Sequence, residues 1–200
     1  DLVILATGVT PETALAKEAG LELGLRGAIV VDEHMRTSNE DIYAVGDAVQ
    51  VRHFVSGADV LLPLAGPANK QGRIAADNIC GKDSRFGGSQ GSSIVKIFDM
   101  TVATTGLNET SAKAQGLPCD KVVLYSASHA TYYPGATNMS IKVVFSPQDG
   151  KILGAQIVGF DGVDKRIDVL ATAIRAGMTA LELTELDLAY APPYSSAKDP

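Results

Sequence analysis

Thr37-Ser38-Asn39-Glu40-Asp41-Ile42-Tyr43-Ala44-Val45-Gly46-Asp47 is the stretch on which the reading of this chain turns. Its run Ile42 to Val45 is short and apolar, which suits a buried parallel strand. The run stops at Gly46-Asp47. A glycine at the carboxyl end of such a strand lets a backbone or a ligand come close, and an aspartate there can accept hydrogen bonds from sugar-like hydroxyls. Ligands of open α/β sheets collect at that edge. The same residues also suit a strand that merely turns, and alone they do not separate the two.

The bulk composition narrows the choice. Two hundred residues suffice for one large domain or two small ones with a real core. With 46% hydrophobic and 20% charged residues, the composition is globular rather than disordered. A net charge of −6 argues against nucleic acid as a general partner, while a local basic pocket for a phosphate-bearing ligand stays compatible. No apolar run approaches the roughly 18 residues of a membrane span, and no basic leader opens the chain, so a soluble cytoplasmic protein is expected. Cys80 and Cys119 stand 39 positions apart without a C-x-x-C, so neither a disulfide framework nor a metal site is expected, only buried or inert thiols. His34, His53 and His129 have no metal or base partner at a meaningful spacing and read as surface or packing residues. The sequons at Asn108 and Asn138 carry no weight in a cytoplasmic protein. Asp1 leads straight into an apolar run and Pro200 falls in what reads as a structured loop, so an excised piece of a longer chain is expected.

Outward from the opening stretch, Leu2 to Leu5 reads as a core strand closed by Ala6-Thr7-Gly8, and Ala28 to Val31 as another. Thr10-Pro11 predicts a helix with Thr as N-cap, stopped by Gly20. Pro67 starts a second helix to about Ile79, with Ala68, Ala75, Ala76 and Ile79 as a small-residue face and Gly81 as its stop. Residues 81–92, with four glycines and three serines, read as a flexible boundary. Beyond it, strands are expected over Ser93–Phe98, Thr101–Thr105, Val122–Ser128, Ile141–Phe145 and Ile152–Val158, with a short helix at Glu109–Gln115. Ser146 to Gly150 is a good hairpin turn. Val163, Ile167, Leu170, Ile174 and Met178 recur at helical spacing, and Asp164, Lys165, Arg166 and Arg175 are expected on the opposite, solvated face. Leu181 to Leu186 predicts a last short helix. Antiparallel strands followed by helices make this half an α+β domain.

Thr37, a short gap and a strand ending in Gly46-Asp47 resemble the second flavin fingerprint of the two-dinucleotide-binding-domain flavoproteins, the pyridine nucleotide-disulfide oxidoreductase family. The resemblance covers essentially the whole chain. It implies an α/β C-terminal part of a FAD-binding Rossmann-like domain over residues 1–83, with residues 1–10 leaving the NAD domain. A linker at 84–92 and an α+β dimerisation domain with an antiparallel sheet over 93–200 follow. It also implies FAD as cofactor, NAD(P)H as reductant and a homodimer. Asp47 takes the ribityl chain of the flavin, Ala6-Thr7-Gly8 lies beside the cofactor, and Pro63, Leu64 and Ala65 sit against the flavin at the start of a helix. Read from the residues alone, Thr7-Gly8 is equally a turn, and the helix start equally a capped end facing water.

Tyr132-Tyr133-Pro134-Gly135 and Tyr190-Ala-Pro-Pro-Tyr194 are the remaining concentrations of chemistry. As residues they suit amphipathic packing. Glutathione- and lipoamide-type members of the family place a His-Pro-Thr and a Glu in the terminal stretch, and here tyrosines stand instead. This resembles the coenzyme A-disulfide reductases and their persulfide and polysulfide reductase relatives, in which tyrosines of one subunit reach the partner's redox cysteine. The resemblance assigns Tyr132 and Tyr190 that role, with Tyr133 and Tyr194 as alternates, and coenzyme A as substrate or bound ligand. A phenol can donate a proton or hydrogen bond to a departing thiolate. The chain has no G-x-G-x-x-G, and neither cysteine stands in a redox context, so the redox cysteine is expected outside this sequence. The 200 residues alone are expected neither to bind FAD tightly nor to turn over. An NADH oxidase or peroxidase of the same family, and a non-catalytic dimerisation module, are the competing readings.

Overall fold

The computed structural model describes residues 2–198. Asp1 and Pro200, on which the expectation of an excised piece rested, lie outside the described residues, as does Asp199. The chain divides into two units. One comprises residues up to His53 together with Gly57–Ser89, the other Phe54–Ser56 together with residues from Gln90 onward.

Regular structure is sparse in the first unit. Leu2 to Leu5 form no strand and are 78–86% exposed. A strand needs a ladder neighbour for its N–H and C=O groups, and no described segment pairs with this one. Helix α1 spans Ala14–Glu18 and so starts later than Thr10. Thr13 stands at its N-terminus, yet its hydroxyl donates to the Gly27 carbonyl at 2.6 Å and does not cap the helix. Ala28 to Val31 contributes one parallel bridge, Ile29 to Val49.

The expected strand Ile42 to Val45 is also not formed. Thr37 N–H donates to the Ile42 carbonyl at 2.9 Å, and Ala44 N–H to the Met35 carbonyl at 3.1 Å. These groups therefore close an antiparallel turn on residues 35–37. The parallel contact falls after Gly46-Asp47, where Ile29 N–H donates to Ala48 O at 2.9 Å and Gln50 N–H to Ile29 O at 3.0 Å. Strands β1 (Val51–Arg52) and β2 (Asp59–Val60) form a short antiparallel pair. Helix α2 runs Ala65–Ile79, beginning ahead of Pro67, which sits in the first turn where its missing N–H costs nothing. Its buried residues are Gln71 and Ala75, whereas Ala76 and Ile79 of the expected small-residue face are exposed. Cys80 caps α2 and is exposed, and Cys119 is part-buried, so of the expected buried or inert thiols neither is fully buried; both are free. Within 84–92, Phe86 N–H donates to Glu33 O at 2.7 Å and Ser89 N–H to Arg52 O at 3.1 Å.

The second unit is built on a five-stranded antiparallel sheet in the order β3-β4-β7-β6-β5. Its strands are β3 (Ser93–Ile97), β4 (Met100–Gly106), β5 (Asp120–Ala127), β6 (Asn138–Phe145) and β7 (Ile152–Gly159). Ser146–Gly150 turns β6 into β7, with Gly150 N–H bonded to Ser146 O and Ser146 N–H to Lys151 O, both at 2.9 Å. Helix α3 (Glu109–Ala114) opens on a capping box, in which Asn108 accepts from Ser111 N–H at 2.8 Å and donates its own N–H to Ser111 Oγ at 3.0 Å. The sequon asparagine is thus a helix cap.

Helix α4 (Val163–Ala176) lays Val163, Ile167, Leu170 and Ile174 onto Ala103 of β4, Met139, Ile141 and Val143 of β6, and Ala155 and Ile157 of β7. The period-2 pattern of the strands meets the helical period of α4 on one sheet face. Arg166 departs from the expectation of a solvated charge: it is 4% exposed. It stands three positions after Val163 and four before Leu170, so it lies on the inward stripe. Its guanidinium is accommodated by donating Nη2 to the Ser128 carbonyl at 2.9 Å and Nη1 to the Gly162 carbonyl at 3.1 Å. A short 3-10 turn, Glu182–Glu185, occupies the place of the last expected helix.

Ile157 has no exposed surface. Ile157→Ala is expected to destabilise this unit by about 2–5 kcal/mol, the range of a buried aliphatic truncation. Urea unfolding measures it, and a loss below about 1 kcal/mol would mean that the side chain is not held in a rigid core.

Candidate functional site

In the first unit, Gly46–Ala48 is a single 3-10 turn following the extended Val45. Gly46 has φ +82, a conformation that side-chain-bearing residues rarely adopt, so the turn needs glycine. Its N–H donates to Oε1 of Gln71 at 2.7 Å. Gln71 is 2% exposed, so α2 reaches across with a buried amide to fix the turn. Asp47, next in sequence, leaves its side chain exposed. Sequence reasoning missed Gln71, although its place between Ala68 and Ala75 on one helical stripe was a usable signal.

Leu64 is the N-cap of α2, with φ −133, ψ 133 and no side-chain cap. Pro63, Ala65 and Gly66 are exposed and Leu64 is half-buried. The first-turn N–H groups and the positive end of the helix dipole therefore face outward, which favours electron-rich atoms. Ala68, one turn into α2, would lie 3.9 Å from a Cβ at Gly46, so the 46–48 turn and the start of α2 are neighbours. Thr7 and Gly8 lie on the exposed extended segment and are not held in any strand.

In the second unit, two residues far apart in sequence meet. Tyr132 lies on the connection between β5 and β6, and Tyr190 follows the 3-10 turn. Their hydroxyls are 2.8 Å apart. Tyr132 is 74% and Tyr190 48% exposed, so the pair is open to solvent. The hydrogen bond from Tyr190, aided by partial desolvation, holds the Tyr132 phenol above the ordinary phenol range. Tyr133 turns the other way, edge-to-face on the His129 ring with centroids 5.9 Å apart. Tyr194 is 72% exposed and not part of the hydroxyl pair. His129 is buried, its Nδ1 3.1 Å from Ser128 Oγ and its Nε2 3.2 Å from the Pro134 carbonyl. His53 is buried, while His34 is part-exposed beside Asp83.

Among the described residues, no His, Cys, Asp and Glu side chains are grouped to hold a metal ion, and no helix is long and apolar enough to cross a membrane.

The family model described as pyridine nucleotide-disulphide oxidoreductase, dimerisation domain, matches residues 92–199, and that of pyridine nucleotide-disulphide oxidoreductase matches residues 1–72. The chain is 40% identical over its whole length to the NAD(P)H coenzyme A polysulfide/persulfide reductase of Pyrococcus horikoshii, of which it covers 45%. It is 41% identical, again over its whole length, to an NADH oxidase of Methanocaldococcus jannaschii, of which it covers 44%. The chain thus spans about half the length of the curated relatives it matches. Among solved structures, reduced Bacillus anthracis CoADR-RHD superposes with a TM-score of 0.96 at 56% identity, over 100% of this chain and 36% of that one.

Gln71→Leu leaves the part-buried Gly46 N–H without its acceptor, and a loss of about 0.5–1.5 kcal/mol in thermal or urea unfolding is expected. Unchanged stability would show that the turn does not depend on α2.

Proposed function

The chain belongs to the pyridine nucleotide-disulphide oxidoreductase family, and from that premise we propose that it is the flavin-edge and pairing part of an FAD-dependent enzyme. That enzyme uses NAD(P)H to reduce coenzyme A disulfide, or persulfides and polysulfides, through a redox cysteine outside these 200 residues. The observation that carries the reading is the Tyr132–Tyr190 hydroxyl pair, 2.8 Å apart and open to solvent. Two phenols so arranged can pass a proton outward: one O–H bond breaks as an S–H bond forms on a departing thiolate, and the second phenol hydrogen-bonds the resulting phenolate. The Pyrococcus relative, a coenzyme A polysulfide/persulfide reductase, favours this sulfur chemistry.

In this reading residues 93–200 form the dimerisation domain, residues 84–92 the junction, and residues 1–83 part of the FAD domain. Two copies associate, and the tyrosines of one protomer serve the redox cysteine of its partner. The residues of the first unit fit a flavin: an exposed carboxylate on a glycine turn stands beside an uncapped helix start. Asp47 would accept hydrogen bonds from the ribityl hydroxyls, and Pro63, Leu64 and Ala65 would face the electron-rich edge of the ring. Gly46 would let the backbone approach, and Thr7 and Gly8 would border the cofactor. When bound, FAD supplies the two-electron relay between nicotinamide and sulfur. Two free cysteines suit a reducing compartment, so a cytoplasmic location belongs to the same proposal.

The Methanocaldococcus relative's name favours a second reading, an NADH oxidase. Coenzyme A released by a thiol reductant from the oxidised full-length protein supports the first reading; its absence together with NADH-driven oxygen consumption supports the second.

Tyr190→Phe and Tyr132→Phe in the full-length protein are expected to lower kcat with coenzyme A disulfide or polysulfide on the order of 10²-fold. Unchanged rates on both substrates would remove the tyrosines from the mechanism. The sign of the pH effect also follows: a raised phenol pKa keeps Tyr132 protonated to higher pH. The alkaline limb of the rate profile is therefore expected above the ordinary phenol range in the native protein, and lower in Tyr190→Phe.

A further inference from the structure

Arg166 is a buried cation on the apolar stripe of α4, and none of the chemistry above uses it. A guanidinium taken out of water is costly unless its donors are matched, so its place among Ile and Leu calls for a cause. Its Nη2 donates to the Ser128 carbonyl at 2.9 Å, and its Nη1 to the Gly162 carbonyl at 3.1 Å. Gly162 starts the helix with φ +72, which favours glycine, and a Cβ there would also meet Arg166 Nη1.

Ser128 opens the connection that carries Tyr132. It is 1% exposed, and its Oγ accepts from Thr137 N–H at 3.1 Å, while Ser128 N–H donates to Thr137 O at 2.7 Å. His129, next in line, reaches the Pro134 carbonyl with Nε2 at 3.2 Å. The loop around Tyr132 is thereby closed at both ends, and Arg166 pins the closure to α4. Ala130 then joins this loop to the segment of Tyr190: its N–H is shared between the Pro192 carbonyl at 3.3 Å and the Ser195 carbonyl at 3.2 Å. Ser195 is 1% exposed and donates its hydroxyl to the Ala189 carbonyl at 3.0 Å, closing the second loop around Tyr190.

We infer that Arg166, acting through the Ser128 carbonyl, and Ser195, acting through its hydroxyl on the Ala189 carbonyl, are positioning residues that set the Tyr132–Tyr190 hydroxyl pair. Tyr132 is mostly in water and Tyr190 about half so, so packing around the rings alone does not fix a 2.8 Å separation between hydroxyls on separate loops. The buried hydrogen bonds behind them supply it. The catalytic consequence rests on the function proposed above; the positioning itself does not.

The test uses the full-length protein carrying tyrosine labelled with ¹³C at Cζ, with the Tyr132 signal assigned by Tyr132→Phe. In Arg166→Met, Tyr132 is expected to titrate at the lower pH it shows in Tyr190→Phe. For coenzyme A disulfide or polysulfide, kcat is expected to fall on the order of tenfold with KM within about twofold, the pattern of misplaced but still binding-competent chemistry. Arg166→Lys, which can reach one carbonyl but lacks the fork, is expected to recover part of both effects. A Tyr132 titration in Arg166→Met that matches the native protein overturns the inference, whatever happens to stability or rate. If Arg166→Met does not fold, Ser195→Ala decides by the same signal: a shift towards the Tyr190→Phe value supports the inference, and no shift overturns it. If the titration moves while Tyr190→Phe keeps its full rate on both substrates, the positioning stands and the proposed sulfur chemistry falls.

Discussion

The second unit depends on β7 being hydrogen-bonded along both edges. One ladder runs to β4, from Thr101 opposite Gly159 to Gly106 opposite Gly154, and the other to β6, from Met139 opposite Gly159 to Phe145 opposite Ile152. That double registration fixes which side chains of the sheet look towards α4. A slip of one residue would turn Ala155 and Ile157 outward and leave the apolar stripe of α4 without a floor. With the stripe seated, the helix cannot rotate, and the charged residue on it is carried to the carbonyl of Ser128. Strand register, helix docking and the place of an exposed phenol are links of one chain of cause.

The first unit is held differently. It has little ladder to distribute its hydrogen bonds, and it relies on single side chains to fasten one loop to another. Gln71 fastens the glycine turn to α2. Asn78 does the same at the other end of that helix, donating its amide to the carbonyls of His34 at 3.2 Å and Ser84 at 2.7 Å. Such point attachments make a scaffold in which the helix start and the 46–48 turn keep their places through two buried or half-buried amides. Each attachment is sensitive to a single substitution in a way that a five-stranded sheet is not.

What could be read from the chain follows the range of the interactions involved. The hairpin at Ser146–Gly150, the alternation in β6 and β7 and the recurrence in α4 are local patterns; β7 and α4 lie within two residues of their expected limits, and β6 starts three residues before its expected one. Leu2 to Leu5 and Ile42 to Val45 have the composition of strands but not their structure, because pairing is a property of neighbours rather than of the run itself. The charge of Arg166 suggests solvent, although its spacing from Val163 and Leu170 points inward. The meeting of Tyr132 and Tyr190, 58 residues apart, had no signal in spacing or periodicity. It entered only through likeness to a family, and the hydrogen bonds that hold the two loops together involve backbone groups, which sequence does not distinguish.

The segment Leu2 to Thr10 carries Leu2, Val3, Ile4, Leu5 and Val9 largely exposed to water. Uncovered backbone donors and acceptors beside branched aliphatic side chains are an adhesive surface for any other extended chain. In an isolated polypeptide of these 200 residues that ribbon is a second surface through which copies can associate, beside any pairing by the tyrosine-bearing half. Counting protomers in solution is informative about native pairing only where that ribbon is covered.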